Sequence, residues 1–277
     1  MQIKRNYYCL VAGLQDISLD IHKLQFSQLA FRTELERELH PKDYCLVEFL
    51  FLPFDNHNLL NLLQKTGKPF NSKGNYSLER LEDNLKEPHD LPEYMMQFIT
   101  AFNAKTPLLP ELSLENEITT LFFDFATQSG NPFLNQWFSF ELNVRNILTA
   151  LLSRKYNLPY ERQIIGSSES AAAIRKSHAR DFGLSGELSY FDELANISRN
   201  ENVQEREKAI DTLRWNYLDD VSFFEYFTIE KVISFTIKLG LVDRWLGIDK
   251  DHGNELFKKL LKELQATYTL PETFTKK

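Results

Sequence analysis

Asn131-Pro132-Phe133-Leu134-Asn135-Gln136-Trp137-Phe138-Ser139-Phe140-Glu141-Leu142-Asn143-Val144-Arg145-Asn146-Ile147-Leu148-Thr149-Ala150-Leu151 is the stretch that decides the fold. Apolar side chains recur at Phe133, Trp137, Phe140, Val144, Ile147, Leu148 and Leu151. Gaps of three and four persist for more than five turns, the period of a helix face and not of a strand. Asn131 supplies an N-cap, and Pro132 sits in the first turn, where a missing amide is harmless.

Similar punctuation extends in both directions. Ser27 caps a predicted helix to Leu39, and Pro41 opens another that Pro53 is expected to stop. Asp55 then caps a third, Asn56 to Thr66, closed by Gly67 and Pro69. The polar run Lys68–Tyr76, with Gly74 and Asn75, reads as a loop. Ser77 caps a short charged helix, Pro92 begins one carrying Tyr94, Met95, Phe98, Ile99 and Phe102, and Ser113 starts one to about Gln128. Further on, Gly166–Ser170 is a capped start for a helix through Arg180, followed by helices at Glu187 to Ile197 and Asn202–Leu218. Ser222 with Glu225 has capping-box spacing ahead of an apolar run through Leu239. Asn254–Tyr268 reads as a final amphipathic helix and Thr269–Lys277 as a frayed tail. No segment alternates as a strand does. The predicted class is all-α, a multi-helical repeat bundle, with an N-terminal repeat over 1–110 and a second region over 111–277.

Composition narrows the function classes. At 277 residues the chain buries an ample core without staples. Its formal charge of −7 argues against generic polyanion binding, so no nucleic acid is expected. Cys9 and Cys45 form no CxxC pair and fit a reducing compartment. No apolar run reaches the ~18–20 residues of a membrane span. The greasiest stretch, Tyr44 to Phe54, is broken by Glu48 and Pro53. Lys4 and Arg5 followed by Tyr7–Leu14 imitate a signal peptide, but Asp16 and the lack of a cleavage site make this the first element of a cytosolic protein.

Motifs that carry chemistry are missing. Lys65-Thr66-Gly67-Lys68 lacks the upstream glycine and following hydroxyl of a P-loop, and there is no GxGxxG, HExxH or GxSxG. His22, His40, His57, His89, His178 and His252 have no i, i+4 ligand partner, and Asp249, Asp251 and His252 read as a solvated turn. Neither a metal nor a cofactor is expected. Ser167, Ser168 and Ser170 are read as caps, not nucleophiles. Arg175, Lys176, His178 and Arg180 form a positive patch, read as a solvated helix face in preference to a site for an acidic partner.

One internal repeat stands out. Asp55-Asn56-His57-Asn58-Leu59-Leu60-Asn61-Leu62-Leu63 and Asn143-Val144-Arg145-Asn146-Ile147-Leu148-Thr149-Ala150-Leu151 share a pattern 88 residues apart: Asp or Asn, two residues, Asn, two aliphatics, two residues, Leu. Each follows an aromatic-rich segment, Phe49–Phe54 and Trp137–Phe140. A looser version lies at Thr228–Phe235, where Lys231-Val232-Ile233 replaces Asn and its aliphatics. Asp55 is expected to cap a helix with Asn58 answering at N3, whereas Asn143 and Asn146, inside a long helix, must face a partner helix or solvent. Two ordinary amphipathic helices could also match this way by chance.

The pattern resembles the C subunit of V-type/A-type rotary ATPases, known in the eukaryotic enzyme as the d subunit. Phe54–Lys65 is similar to its first Asp-x-x-Asn-Leu segment, Trp137–Lys155 to the second and Phe224–Trp245 to the terminal repeat. The opening Tyr7-Tyr8-Cys9-Leu10-Val11-Ala12-Gly13 resembles a divergent bacterial branch encoded beside V-type ATPase genes. The resemblance covers about half of the chain in patches. It implies a non-catalytic spacer that seats the central shaft subunits on the membrane proteolipid ring, cytoplasmic and peripheral to the inner membrane through the complex. By the same resemblance, Asp55, Asn58, Leu59, Asn143, Asn146 and Ile147 are structural motif residues. The chain departs from the family in its shorter length, in Gly67 and Pro69 truncating the first segment, and in the missing Asp and Asn of the third. Two alternatives stand beside it: a helical adaptor unrelated to ATPases, and an all-α enzyme assembled from Glu161, Glu169, His178 and Asp181.

Overall fold

A computed structural model describes residues 5–21 and 23–267, with side chains through Ile248. The described residues contain twelve α-helices, one 3-10 turn (Glu161–Gln163) and no strand. The helices are α1 (Tyr8–Ala12), α2 (Gln28–Glu38), α3 (Pro41–Glu48), α4 (Leu52–Leu63), α5 (Leu78–Asp83), α6 (Glu93–Ala104), α7 (Leu114–Ala126), α8 (Pro132–Lys155), α9 (Glu169–Lys176), α10 (Phe191–Ile197), α11 (Val203–Val221) and α12 (Ile229–Thr267). The all-α expectation is met.

Six helices, α2, α5, α7, α8, α9 and α11, start with a side-chain oxygen accepting from the amide three residues on, and α2, α7 and α11 each open a larger unit. The side-chain oxygens of Ser27, Ser113 and Asn202 accept from the amides three residues on, those of Ala30, Asn116 and Glu205, at the heads of α2, α7 and α11. Each is followed by a second helical stretch: α3 with α4, then α8, then α12. The chain thus holds three such units, the first of three helices and the other two of two. Each second stretch packs on the first helix of the next unit: α4 on α7, α8 on α11, and α12 back on α2. The circuit closes with Gln28, whose backbone amide donates to Asp243 Oδ2 at 2.7 Å and whose side chain donates to the Thr236 carbonyl at 3.0 Å. One continuous apolar core runs from Phe31 through Leu59, Ile118, Leu134 and Ile147 to Leu239. Packing at interior density makes such a body resist deformation.

Several boundaries differ from the sequence expectation. Pro53 does not end a helix; it lies in the first turn of α4, where its missing amide has no intrahelical partner to lose. Asp55 is therefore inside α4 and is not its cap. The apolar run to Leu239 and the expected helix from Asn254 belong to one 39-residue helix. Gly240 does not break it, and a Cβ there would lie 2.3 Å from Gln28 Nε2, so the glycine serves the close approach of α2. Ser222 ends α11, its hydroxyl donating to the Leu218 carbonyl at 2.6 Å, and α12 starts later, at Ile229. The helices expected through Arg180 and from Glu187 are shorter, α9 ending at Lys176 and α10 starting at Phe191. The side chains of Asp249, Asp251 and His252, and the Thr269–Lys277 tail, lie outside the described residues.

Candidate functional site

The motif residues meet the loops that follow their helices. In the first unit Asn58, buried on α4, donates through Nδ2 to the Asn71 carbonyl at 2.9 Å and accepts from the Asn71 amide at 2.9 Å. A carboxamide has one donor edge and one acceptor edge, so it pairs with a peptide group as a second backbone would. Asp55, fully buried one turn earlier, accepts from the Asn75 amide at 2.8 Å, from Asn75 Nδ2 at 2.9 Å and from the Tyr76 amide at 3.1 Å. Arg32 of α2 holds the loop from the other side, donating to the carbonyls of Lys73 (2.9 Å) and Gly74 (3.0 Å) and to Asn75 Oδ1 (2.7 Å). Gly74 passes so close that a Cβ would fall 2.2 Å from Asp55 Oδ1. Burial pushes the Asp55 carboxyl up to about 6 despite these N–H donors and the Arg32 charge. The loop then feeds Ser77, which caps α5.

The second unit repeats the device. Asn146, fully buried on α8, donates to the Ile165 carbonyl at 2.8 Å and accepts from the Ile165 amide at 3.0 Å. Asn143 accepts from the Ser170 hydroxyl at 2.8 Å and donates to the Tyr190 hydroxyl at 3.1 Å. Arg175 takes the part of Arg32, donating to the carbonyls of Ile164 and Gly166, each at 2.8 Å. This loop feeds Ser168, which caps α9. Asn146 therefore faces a returning loop of its own chain, correcting the expectation of a partner helix or solvent, whereas Asn143 meets that expectation through Ser170 on α9. Arg175 likewise leaves the positive patch for a structural post, while Lys176, His178 and Arg180 stay exposed. Leu59 and Ile147 are fully buried beside the two asparagines. In the third unit Thr228, Lys231, Val232 and Ile233 hold the motif positions. Lysine offers only donors and α12 runs on to Thr267, so among the described residues this unit has no clamp.

Sequence reasoning missed a partly buried charge cluster where the second and third units meet. Arg214 of α11 makes a bidentate pair with Glu141 of α8 (2.7 and 2.9 Å) and reaches Asp211 Oδ1 at 3.0 Å. The fully buried Asp211 also accepts from Arg244 and from Trp245 Nε1 at 2.8 Å, both on α12. The Glu141 and Asp211 charges raise the Arg214 guanidinium further, overcoming burial, which acts the other way. Only the Asp211–Arg214 spacing of three, with both residues on one helix face, was visible in the sequence.

Of the residues considered for an enzyme, Glu161 and Asp181 are tied up locally. Glu161 accepts from the Tyr160 amide at 3.2 Å, Glu169 lies in the first turn of α9, and His178 is exposed. Asp181 accepts from Ser185 Oγ at 2.6 Å and from the Gly183 amide at 3.0 Å, bonds that lower its pKa. No hydrogen bond or ion pair joins any two of the four among the described residues, nor is there a cluster of three or more His, Cys, Asp or Glu suited to a metal. Among the described residues, no helix is long and apolar enough to cross a membrane.

The arrangement as a whole fastens loops to helices and helices to one another. Residues 4–267 match the model of the family described as "Protein of unknown function (DUF2764)". The chain belongs to this family. No curated protein matches it.

Proposed function

We propose that this chain is a non-catalytic central-stalk subunit of a bacterial V-type rotary ATPase, seating the rotating shaft on the membrane proteolipid ring. The observation that carries the reading is the closed circuit of three helical units, two of them carrying the Asn clamp at the motif positions 88 residues apart. Transmitting torque needs a body that does not shear under load. Packed helices closed on themselves, clamped loops and a partly buried charge cluster between units are means to that end. A helical fold by itself names no machine. The likeness of Asp55–Leu63 and Asn143–Leu151 to the Asp-x-x-Asn-Leu segments of the rotary-ATPase spacer family supplies that identity.

The test is coupling. Inverted membrane vesicles from a strain lacking the gene should still hydrolyse ATP but lose ATP-driven ion uptake, and the plasmid-borne gene should restore it. Vesicles that pump at the wild-type rate without the chain would overturn the reading. They would leave a helical adaptor outside the rotary ATPase as its replacement.

A further inference from the structure

Where α6 turns into α7 lies a cavity of about 330 Å³, walled by Phe98 and Phe102 of α6, Pro107 of the turn and Leu114 of α7, with Lys105 and Glu117 as its charged lining. Its construction is local. Lys105 takes a left-handed conformation (φ 57°) and ends α6, its own amide and that of Thr106 donating back to the Phe102 and Ala101 carbonyls at 3.1 and 3.0 Å. The turn that follows is fastened by Glu117, whose Oε1 accepts from the Leu108 amide at 2.6 Å and from the Leu109 amide at 3.3 Å.

Glu117 is 1% exposed, yet half of its carboxylate is unused. Asp55 performs the same task for its own loop and spends both oxygens on it. In Glu117 only Oε1 is engaged. Oε2 has no hydrogen bond or ion pair among the described residues, and neighbouring atoms do not seal it in. The cavity that Glu117 lines is the opening left to it. Lys105 does not neutralise it, since its side chain is exposed and makes no ion pair among the described residues.

An anionic oxygen against apolar walls is costly to leave without a donor, and a cationic donor offsets that cost most fully. The volume lies at the small end for ligand sites and the walls are apolar, which suits a ligand whose remainder is one ring or a short branched chain. Lys105 in the lining disfavours a second positive charge, which argues against polyamines.

We propose that this cavity binds a small monoamine, its ammonium on Glu117 Oε2 and its aryl or branched alkyl body against Phe98, Phe102 and Leu114. The inference is independent of the rotary-ATPase reading, because the site is built from two consecutive helices and their turn and needs no other subunit.

The experiment titrates phenethylamine into the isotope-labelled full chain and follows the backbone amides by NMR. Phenethyl alcohol and phenylpropionate serve as neutral and anionic probes of similar shape. The expected result is saturable shifts centred on the α6–α7 turn, Leu108, Leu109 and Glu117 among them, with the alcohol and the carboxylate binding at least about tenfold more weakly. Glu117→Gln keeps an oxygen for the Leu108 and Leu109 amides, so it should retain the wild-type circular dichroism spectrum while binding phenethylamine at least about tenfold more weakly. Equal binding of the alcohol, equal binding by the folded variant, saturable shifts centred elsewhere on the chain, or no saturable shift at all overturns the inference. The comparison of probes uses the wild-type chain alone, so it decides the matter even where the variant fails to fold.

Discussion

Replacing Asn146 with alanine removes both partners of one peptide group at once. The Ile165 amide and carbonyl lose their 3.0 and 2.8 Å bonds, and Ile165, at 0% exposure, gives water no route to replace them. A buried donor or acceptor left unpaired costs roughly 1–3 kcal/mol, so two cost roughly 2–6 kcal/mol. Asn58→Ala removes the same pair of bonds from Asn71, but Asn71 is only half-buried and water can take over. Its cost is then about the net worth of two ordinary hydrogen bonds, ~1–3 kcal/mol. At roughly 2–4 °C per kcal/mol for a chain near this size, Asn146→Ala should lower the melting temperature by roughly 5–20 °C, and Asn58→Ala by clearly less. Asn146→Asp keeps the acceptor for the Ile165 amide but sets an anionic oxygen against the Ile165 carbonyl, so it should cost at least as much as alanine. Urea and thermal unfolding of the variants, followed by circular dichroism, measure this. An Asn146→Ala variant as stable as wild type, or one hurt less than Asn58→Ala, would refute the claim that the motif asparagine works as a backbone clamp.

Three further outcomes follow from the same geometry. Asp55 holds its proton more tightly folded (about 6) than at its ordinary value of 3.8. Its contribution to stability is therefore greatest at low pH and is lost as pH rises through about 4 to 6. The stability difference between wild type and Asp55→Ala should fall by ~3 kcal/mol across that window and be flat outside it, and a difference that grew with pH would contradict the assignment. Gly74→Ala drives a methyl against Asp55 Oδ1 and should loosen the 71–76 loop, read as faster amide exchange at Asn75 and Tyr76, with α8 and α9 unaffected. Arg214→Ala leaves Glu141 without its partner and takes one of three donors from the buried Asp211, and should cost roughly 1–3 kcal/mol in urea unfolding, while no measurable loss would show that the cluster is not a structural joint.

The helices were legible because their caps and periodicity are local signals. Ser27, Ser113 and Asn202 announce three starts, and the Phe133–Leu151 stripe announces α8. The motif was legible as a pattern but not as a mechanism, since the peptide each asparagine grips lies 13 residues away in one unit and 19 in the other. Loops of unequal length hide that correspondence from any fixed spacing. Pro53 misleads because a proline that ends one helix and a proline that opens the next look identical in sequence. Arg32 and Arg175 come from opposite sides of their loops in chain order, one before and one after, so no motif links them. The aromatics at 223–227 resemble the start of a buried stripe; whether anything covers such a stripe is a tertiary fact.

The most direct test of the proposed role is affinity purification of the tagged chain from gently solubilised membranes of its own host, with its companions identified by mass. Recovery together with the shaft and proteolipid-ring subunits of a V-type ATPase is the predicted result. Recovery of the chain without them, while those subunits are detected in the starting lysate, would contradict it.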